Sequence, residues 1–337
     1  MFLPVIMLHR YGWEGFAMFA IPNVIGCTLF GYIVRTPERS KALVEKYARA
    51  MSWFAIVTIA FHAFFIVMMM LMHCENANPL LTRFLPFGIV IVGGVVALLP
   101  SRVWPYLALI VWATSLAIGY SLLPIENEIS QSRPWQDVIW LTPIVTFGFL
   151  FCPYLDPTFH RAIQCSPSKH AFGVFGITFG AMIGVTCLYH NVILETLTVG
   201  IGIHLVIQTL FTIGAHFREG ARVNNRKNRR RFVCFAFVAG LIAIEAAHRP
   251  HAVEEGLTND YLRFFVFYGL VFPGLVSTFM ATRRAFSTKR VMVFSIVAVA
   301  SLPFLEWGYI GESPWLTVLP AIALLVWLFA SYKKPTT

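Results

Sequence analysis

Eleven apolar runs separated by short polar connections fill almost the whole of this chain of 337 residues. Such runs fold in lipid as helices, because backbone inside hydrocarbon must satisfy its polar groups within its own segment. The expected spans are 13–34, 51–73, 84–100, 103–123, 137–157, 170–190, 193–216, 231–248, 262–281, 289–307 and 314–331. Most approach the ~20 residues that cross a ~30 Å hydrocarbon core. The third and eighth are short, and the connection at Ser101 and Arg102 is tight enough for a re-entrant hairpin. The expected fold class is an all-α polytopic membrane protein of about eleven transmembrane helices, forming one membrane domain over 1–337.

Orientation follows from the cations. All but five of the 26 Lys and Arg residues fall in alternate connections, and cytoplasmic loops are the ones that collect them. One set holds Arg35, Arg39, Lys41, Lys46 and Arg49, then Arg102, Arg161 and Lys169, the run from Arg218 to Arg231, Arg283 to Arg290, and Lys333 and Lys334. The other holds Arg10, Arg83, Arg133, Arg249 and Arg263, together with Glu75, Glu126, Glu128, Glu254, Glu255, Asp260 and Glu312. The pattern predicts the N-terminus outside and the C-terminus in the cytoplasm of a multi-pass cell (plasma) membrane protein.

A net charge of +10 raises nucleic acid as a partner. The run Arg218–Arg231 lacks interleaved aromatics and joins two apolar spans, which points instead to anionic lipid head groups. The six cysteines form no C-x-x-C pair, so neither a disulfide framework nor a zinc site is expected. Met1–Leu8 is too short for a signal peptide. No hydrophilic stretch is long enough for a soluble domain, and no phosphate-binding loop argues for a primary pump.

Two spans carry helix breakers. In the first, Pro22 removes a backbone donor and Asn23 follows at mid-membrane depth; the plainer reading is a packed kink, with Gly26 and Gly31 allowing close approach. In the fifth, Pro153 and Pro157 bracket Tyr154 and Asp156. The residues before each proline, Cys152 and Asp156, are biased away from helix, and Asp156 is placed to cap a second half-helix from Pro157. Such a discontinuous helix exposes carbonyls and a positive dipole end, the construction with which transporters hold ions and small anions. The plainer alternative ends the span at Phe151 and makes the rest a cytoplasmic turn with an interfacial helix.

The helix from Thr142, its break at Cys152–Pro157, His160–Arg161 and the span from 170 resemble the sixth core helix of leucine-transporter-fold proteins. The sodium:solute symporters and the amino acid–polyamine–organocation permeases share that fold. Ala20–Arg39, ending Gly31-Tyr32 and then Arg35-Thr36-Pro37-Glu38-Arg39, resembles the second core helix of the symporters. The resemblance implies alternating access, with Tyr154 on substrate and Asp156 or exposed carbonyls at Cys152, Pro153 and Thr158 on a cation. It also implies that the first core helix is missing, with Met1–Leu8 as its end. The hydroxyl pair that holds sodium in the symporters maps to 193–216, where Thr209 and Thr212 stand without an adjacent partner. Na+ and H+ both stay open as coupling ion, and no cofactor is expected.

Polar residues within spans complete the candidates. His62 lies in the second span, while His204, Gln208, Thr212 and His216 form a stripe at four-residue spacing. Interhelical hydrogen bonding is the plainer account of that stripe. The Met68–Met70 run with Met72 reads as core packing rather than a soft-metal site.

The expected function is a secondary transporter for a small polar solute. The expected binding residues are Cys152, Pro153, Tyr154, Asp156, Thr158, Asn23, His204, Gln208, Thr209 and Thr212, with no catalytic or metal residue. The first alternative is a non-transporting subunit whose partner supplies a helix. The second is a membrane enzyme using His248, His251, Glu254 and Glu255, whose spacing lacks the H-E-x-x-H pattern of zinc enzymes.

Overall fold

The computed structural model describes residues 3–73, 78–121, 135–166, 168, 170–188, 199–248, 254–281 and 287–331. All regular structure among the described residues is helical. The helices are α1 Leu3–Val34, α2 Pro37–His73, α3 Pro79–Val96, α4 Trp104–Ser121, α5 Trp135–Phe151 and α6 Pro157–Cys165. They continue with α7 Ala171–Val185, α8 Val199–Arg222, α9 Arg226–Ala247, α10 Glu254–Leu275, α11 Thr288–Leu305 and α12 Val318–Ser331.

A helix occupies each of the eleven apolar ranges. By length and composition, α1, α2, α3, α8 and Thr288–Ile310 can cross a membrane, and α5 with α6 adds a sixth as one bent span. Apolar side chains form outward stripes as lipid solvates them: Ile21, Ile25, Leu29 and Ile33 lie four apart along α1 and are all exposed. In water a patch that large would mark an interface.

Several expectations change. The loop expected over 35–50 is helical, because α2 starts at Pro37, a residue suited to a first turn, and bends only at Tyr47 (φ −118°, ψ 21°). Helix α1 runs unbroken through Pro22 and bends at Gly12 instead, where φ is 65° and only glycine is at ease. Leu3–Leu8, ahead of that bend, is buried in the main core. Helices α3 and α4 do not close on each other as a hairpin; both pack against α8.

Two groups of helices pack most closely, with α10 touching both α5 and α2 and one main core drawing on both groups. In the first, α1 packs against α5 and α7. In the second, α2 packs against α8 and α9, and α3 against α8. The middle of α2 is the axis of the second group, with Ala55, Ile59, Ala63, Val67 and Met68 fully buried. Met68 and Met69 are core residues, as their run suggested.

Both groups pack by close backbone approach, as expected where lipid removes the hydrophobic drive between helices. A Cβ on Gly26 would lie 2.4 Å from Phe149 O of α5, and one on Gly31 would lie 2.3 Å from Phe172 of α7. At the end of α8, Arg218 donates to Ala97 O (3.1 Å), to Leu99 O and to Ser101 Oγ (2.8 Å), holding the α3–α4 turn. Buried Glu219 joins Arg218 (3.3 Å) and Arg222 (2.7 Å). The basic run therefore divides: its first two arginines tie helices together, and Arg226, Lys227 and Arg229–Arg231 are exposed. On the opposite side cations meet acids, Arg83 with Glu245 (2.7 Å) and Arg263 with Glu306 (2.6 Å).

Candidate functional site

Helix α5 ends at Phe151, and Cys152–Tyr154 form a single tight turn that Pro153 enters without a donor. The amides of Leu155 and Asp156 both return to Cys152 O, at 3.0 and 3.2 Å. Asp156 is extended (φ −79°, ψ 110°), as the residue before a proline should be. Its Oδ1 accepts from both Thr158 N and Thr158 Oγ1 at 2.7 Å, which caps α6. The axes before and after the break differ by 49°. Break and cap fall at the expected residues, and the helix end at Phe151 followed by a turn and a capped helix is also the arrangement of the plainer alternative.

Helix α6 is anchored rather than merely capped. His160 is fully buried, with Nδ1 3.0 Å from Ser40 Oγ and Nε2 3.0 Å from Tyr154 O. A carbonyl facing Nε2 makes that nitrogen the donor, leaving Nδ1 to accept in a neutral ring. Gln164 Nε2 donates to the same Ser40 hydroxyl at 3.1 Å. The start of α2 is thereby bound to α6.

The other walls come from α1, α2 and α8. Phe30 of α1 sets its edge against Tyr154 (5.3 Å) and His160 (5.1 Å). Deeper on α1, Cys27 Sγ donates to Asn23 Oδ1 at 3.7 Å. Cys27 and Cys152 both lie within the field of the Asp156 carboxylate. Across the groups, His216 Nε2 of α8 is 4.0 Å from Asp156 Oδ2, with the side chains only 6% and 13% exposed. Phe54 of α2 lies against the His216 ring, 6.1 Å between centroids.

The structure therefore gathers Asn23, Cys152, Pro153, Tyr154, Asp156 and Thr158 in one region. It adds Cys27, His160 and His216, which the expected set lacks. Cys27 follows Asn23 by one helical turn, and that spacing was the available signal; nothing in the sequence ties α8 to the break. The α8 stripe is divided. His204 faces Ser115 of α4 (3.2 Å), Thr209 is buried, and Thr212 donates to Gln208 O of its own helix (2.9 Å). A four-residue spacing drifts by about 40° per step on a helix of 3.6 residues per turn, so the stripe's ends meet different neighbours. His62 faces Thr58 O of its own helix at 2.8 Å.

A cavity of about 210 Å³ lies beyond the cluster, lined by Gly31, Arg35, Pro37, Ile163, Ser166, Ser168 and Phe172. Among the described residues, no three His, Cys, Asp or Glu side chains are placed to hold a metal. Of the outer-loop enzyme candidates, His251 and the side chains of Glu254 and Glu255 lie outside the described residues; His248 Nδ1 faces Ile244 O at 2.8 Å.

A helical protein with several helices fit to cross a membrane, carrying a partly buried acid at a helix break, is the class that fold and site define. Comparison with known protein families and with curated proteins finds no match.

Proposed function

We propose that this protein is a secondary transporter for a small polar solute, working by alternating access around the break at Cys152–Thr158. The observation that carries the reading is the pair of closely packed helix groups with the broken helix between them. The break is covalently part of the α1–α5–α7 group, and α6 packs on α2 and α8 of the other. Rocking one group against the other would open the region around Asp156 to each side in turn.

Two pairings are consistent with an inverted repeat, while α1 with α5 has no comparable counterpart. With α5 and α6 counted as one broken span, α1–α4 correspond to α7–α10, five spans later. The pairing α2 with α9 then has its counterpart in α8 with α3, and α4 with α8 has its counterpart in α10 with α2. An odd shift reverses direction across the membrane, which suits eleven spans with the N-terminus outside the plasma membrane and the C-terminus in the cytoplasm. The same pattern favours the leucine-transporter fold.

The test is uptake of a metabolite mixture by proteoliposomes, with retained solutes identified by mass spectrometry. The expected result is retention of a small polar solute by the full chain, absent from protein-free vesicles and from Asp156→Asn. Retention of no solute by correctly folded protein would refute the proposal.

A further inference from the structure

Asp156 and His216 stand on opposite sides of the boundary between the two packing groups. Asp156 is carried by the α5–α6 break and His216 by α8, and the partly buried carboxylate stands 4.0 Å from the buried ring. The carboxylate is unevenly served: Oδ1 takes both Thr158 donors, and Oδ2 faces the imidazole. On the other edge of that ring, His216 Nδ1 is buried with no hydrogen-bond partner among the described residues. A carboxyl group in such a place needs partners, and a histidine can supply a compensating charge by taking up one proton.

The other titratable groups around the pair come from α6, α1, the turn, α2 and α8. His160 of α6 has both ring nitrogens engaged, with Ser40 and with Tyr154 O. From α1 comes the Cys27 thiol and from the turn the Cys152 thiol, both in electrostatic range of the carboxylate. From α2 comes His62, within range of His216 and bonded to Thr58 O. One turn along α8, Glu219 is paired with Arg218 and Arg222. His216 is thus left as the group that can neutralise Asp156.

We infer that the Asp156–His216 pair carries the coupling proton of the transport cycle, an inference that rests on the alternating-access reading. A proton from water on one side adds to the His216 ring, so the pair gains one positive charge. Closure brings imidazolium and carboxylate together; separation of the groups on the other side releases the same proton to water. No other bond forms or breaks, and no sodium is consumed.

The test places genetically encoded spin labels at two exposed positions, Ser168 beside α6 and Arg226 at the start of α9. Their distance distribution is measured by double electron–electron resonance in nanodiscs. Between about pH 5 and about pH 8, across the histidine range, the ratio of two populations should change by about fivefold or more. Asp156→Asn keeps a residue able to cap α6 and should abolish the pH response. His216→Gln should abolish it independently, which guards against a misfolded first variant. Two populations that ignore pH, or that respond equally in both variants, would overturn proton coupling and leave alternating access standing. One unchanging distance at every pH would overturn both.

Discussion

Replacing Asp156 by alanine removes two hydrogen bonds at the start of α6, those from Thr158 N and Thr158 Oγ1, each 2.7 Å long. Loss of the helix cap costs about 1 kcal/mol, and loss of the hydroxyl bond to a charged acceptor costs about 1 kcal/mol more. Opening of α6 then becomes easier by about 2 kcal/mol, which is roughly a thirtyfold faster exchange of its amides. Asparagine caps about as well as aspartate and keeps a neutral acceptor for Thr158, so Asp156→Asn should cost under about 1 kcal/mol. Hydrogen–deuterium exchange of the peptide spanning α6 separates the two variants. A peptide within Ala55–Val67 of α2, deep in the other group, serves as control. Equal exchange of α6 in the alanine and asparagine variants would refute the capping argument. A parallel rise in the α2 peptide would show that the loss is global rather than local.

The Gly26→Ala substitution puts a methyl 2.4 Å from Phe149 O, where only movement of the α5 backbone makes room. The expected cost is about 1–3 kcal/mol, read as a lower melting temperature in detergent, with Gly26→Leu failing to give monodisperse protein. The Ser40→Ala substitution strips α6 of the hydroxyl shared by His160 and Gln164. It should destabilise by about 1–3 kcal/mol by the same assay, whereas Thr82→Ala, which removes an exposed hydroxyl bonded only to Pro79 O, should change little. Cys165 is exposed at the end of α6, so an impermeant maleimide should label it in inside-out vesicles and not in intact cells. Labelling from outside would reverse the proposed orientation.

What the sequence discloses here depends on the range of the interactions involved. The apolar ranges were legible because each helix in lipid answers to its own composition. The break at Cys152–Asp156 was legible because proline acts on the residue just before it, and the Asp156 cap needs only the next two residues. Pro22 misled for the reverse reason. A proline marks a lost donor, but whether the helix parts there depends on its neighbours, and close packing of Gly26 on α5 keeps α1 continuous. Gly12, with no proline beside it, is where the chain bends. The basic stretch over 35–50 looked like a loop because charge signals water, whereas α2 simply extends past the apolar region with its cations on the outside.

The site was legible on one side only. Asn23, Cys152, Asp156 and Thr158 lie in segments that announce themselves by breakers. His216 does not, because its relation to Asp156 spans 60 residues and two different packing groups, and its place in an evenly spaced stripe suggested partners it does not have. The stripe's regularity is a property of one helix, while burial is decided by the several helices that surround it. The same contrast bears on the proposed repeat. Leu3–Tyr11 ends at a bend and leads into the long part of α1, much as α6 leads into α7, and each short helix carries proline in its first turn. Under a five-span repeat those two half-helices are counterparts, and a site between the packing groups draws on both. The one that begins at Pro157 carries the acid. Its counterpart offers the buried apolar run Leu3–Leu8 followed by His9, Arg10 and Tyr11, with Arg10 donating to Asn259 Oδ1 at 2.9 Å. Arg10 is held by Asn259, so among the two half-helices the acid of the proposed cycle is Asp156, and the imidazole facing it comes from α8.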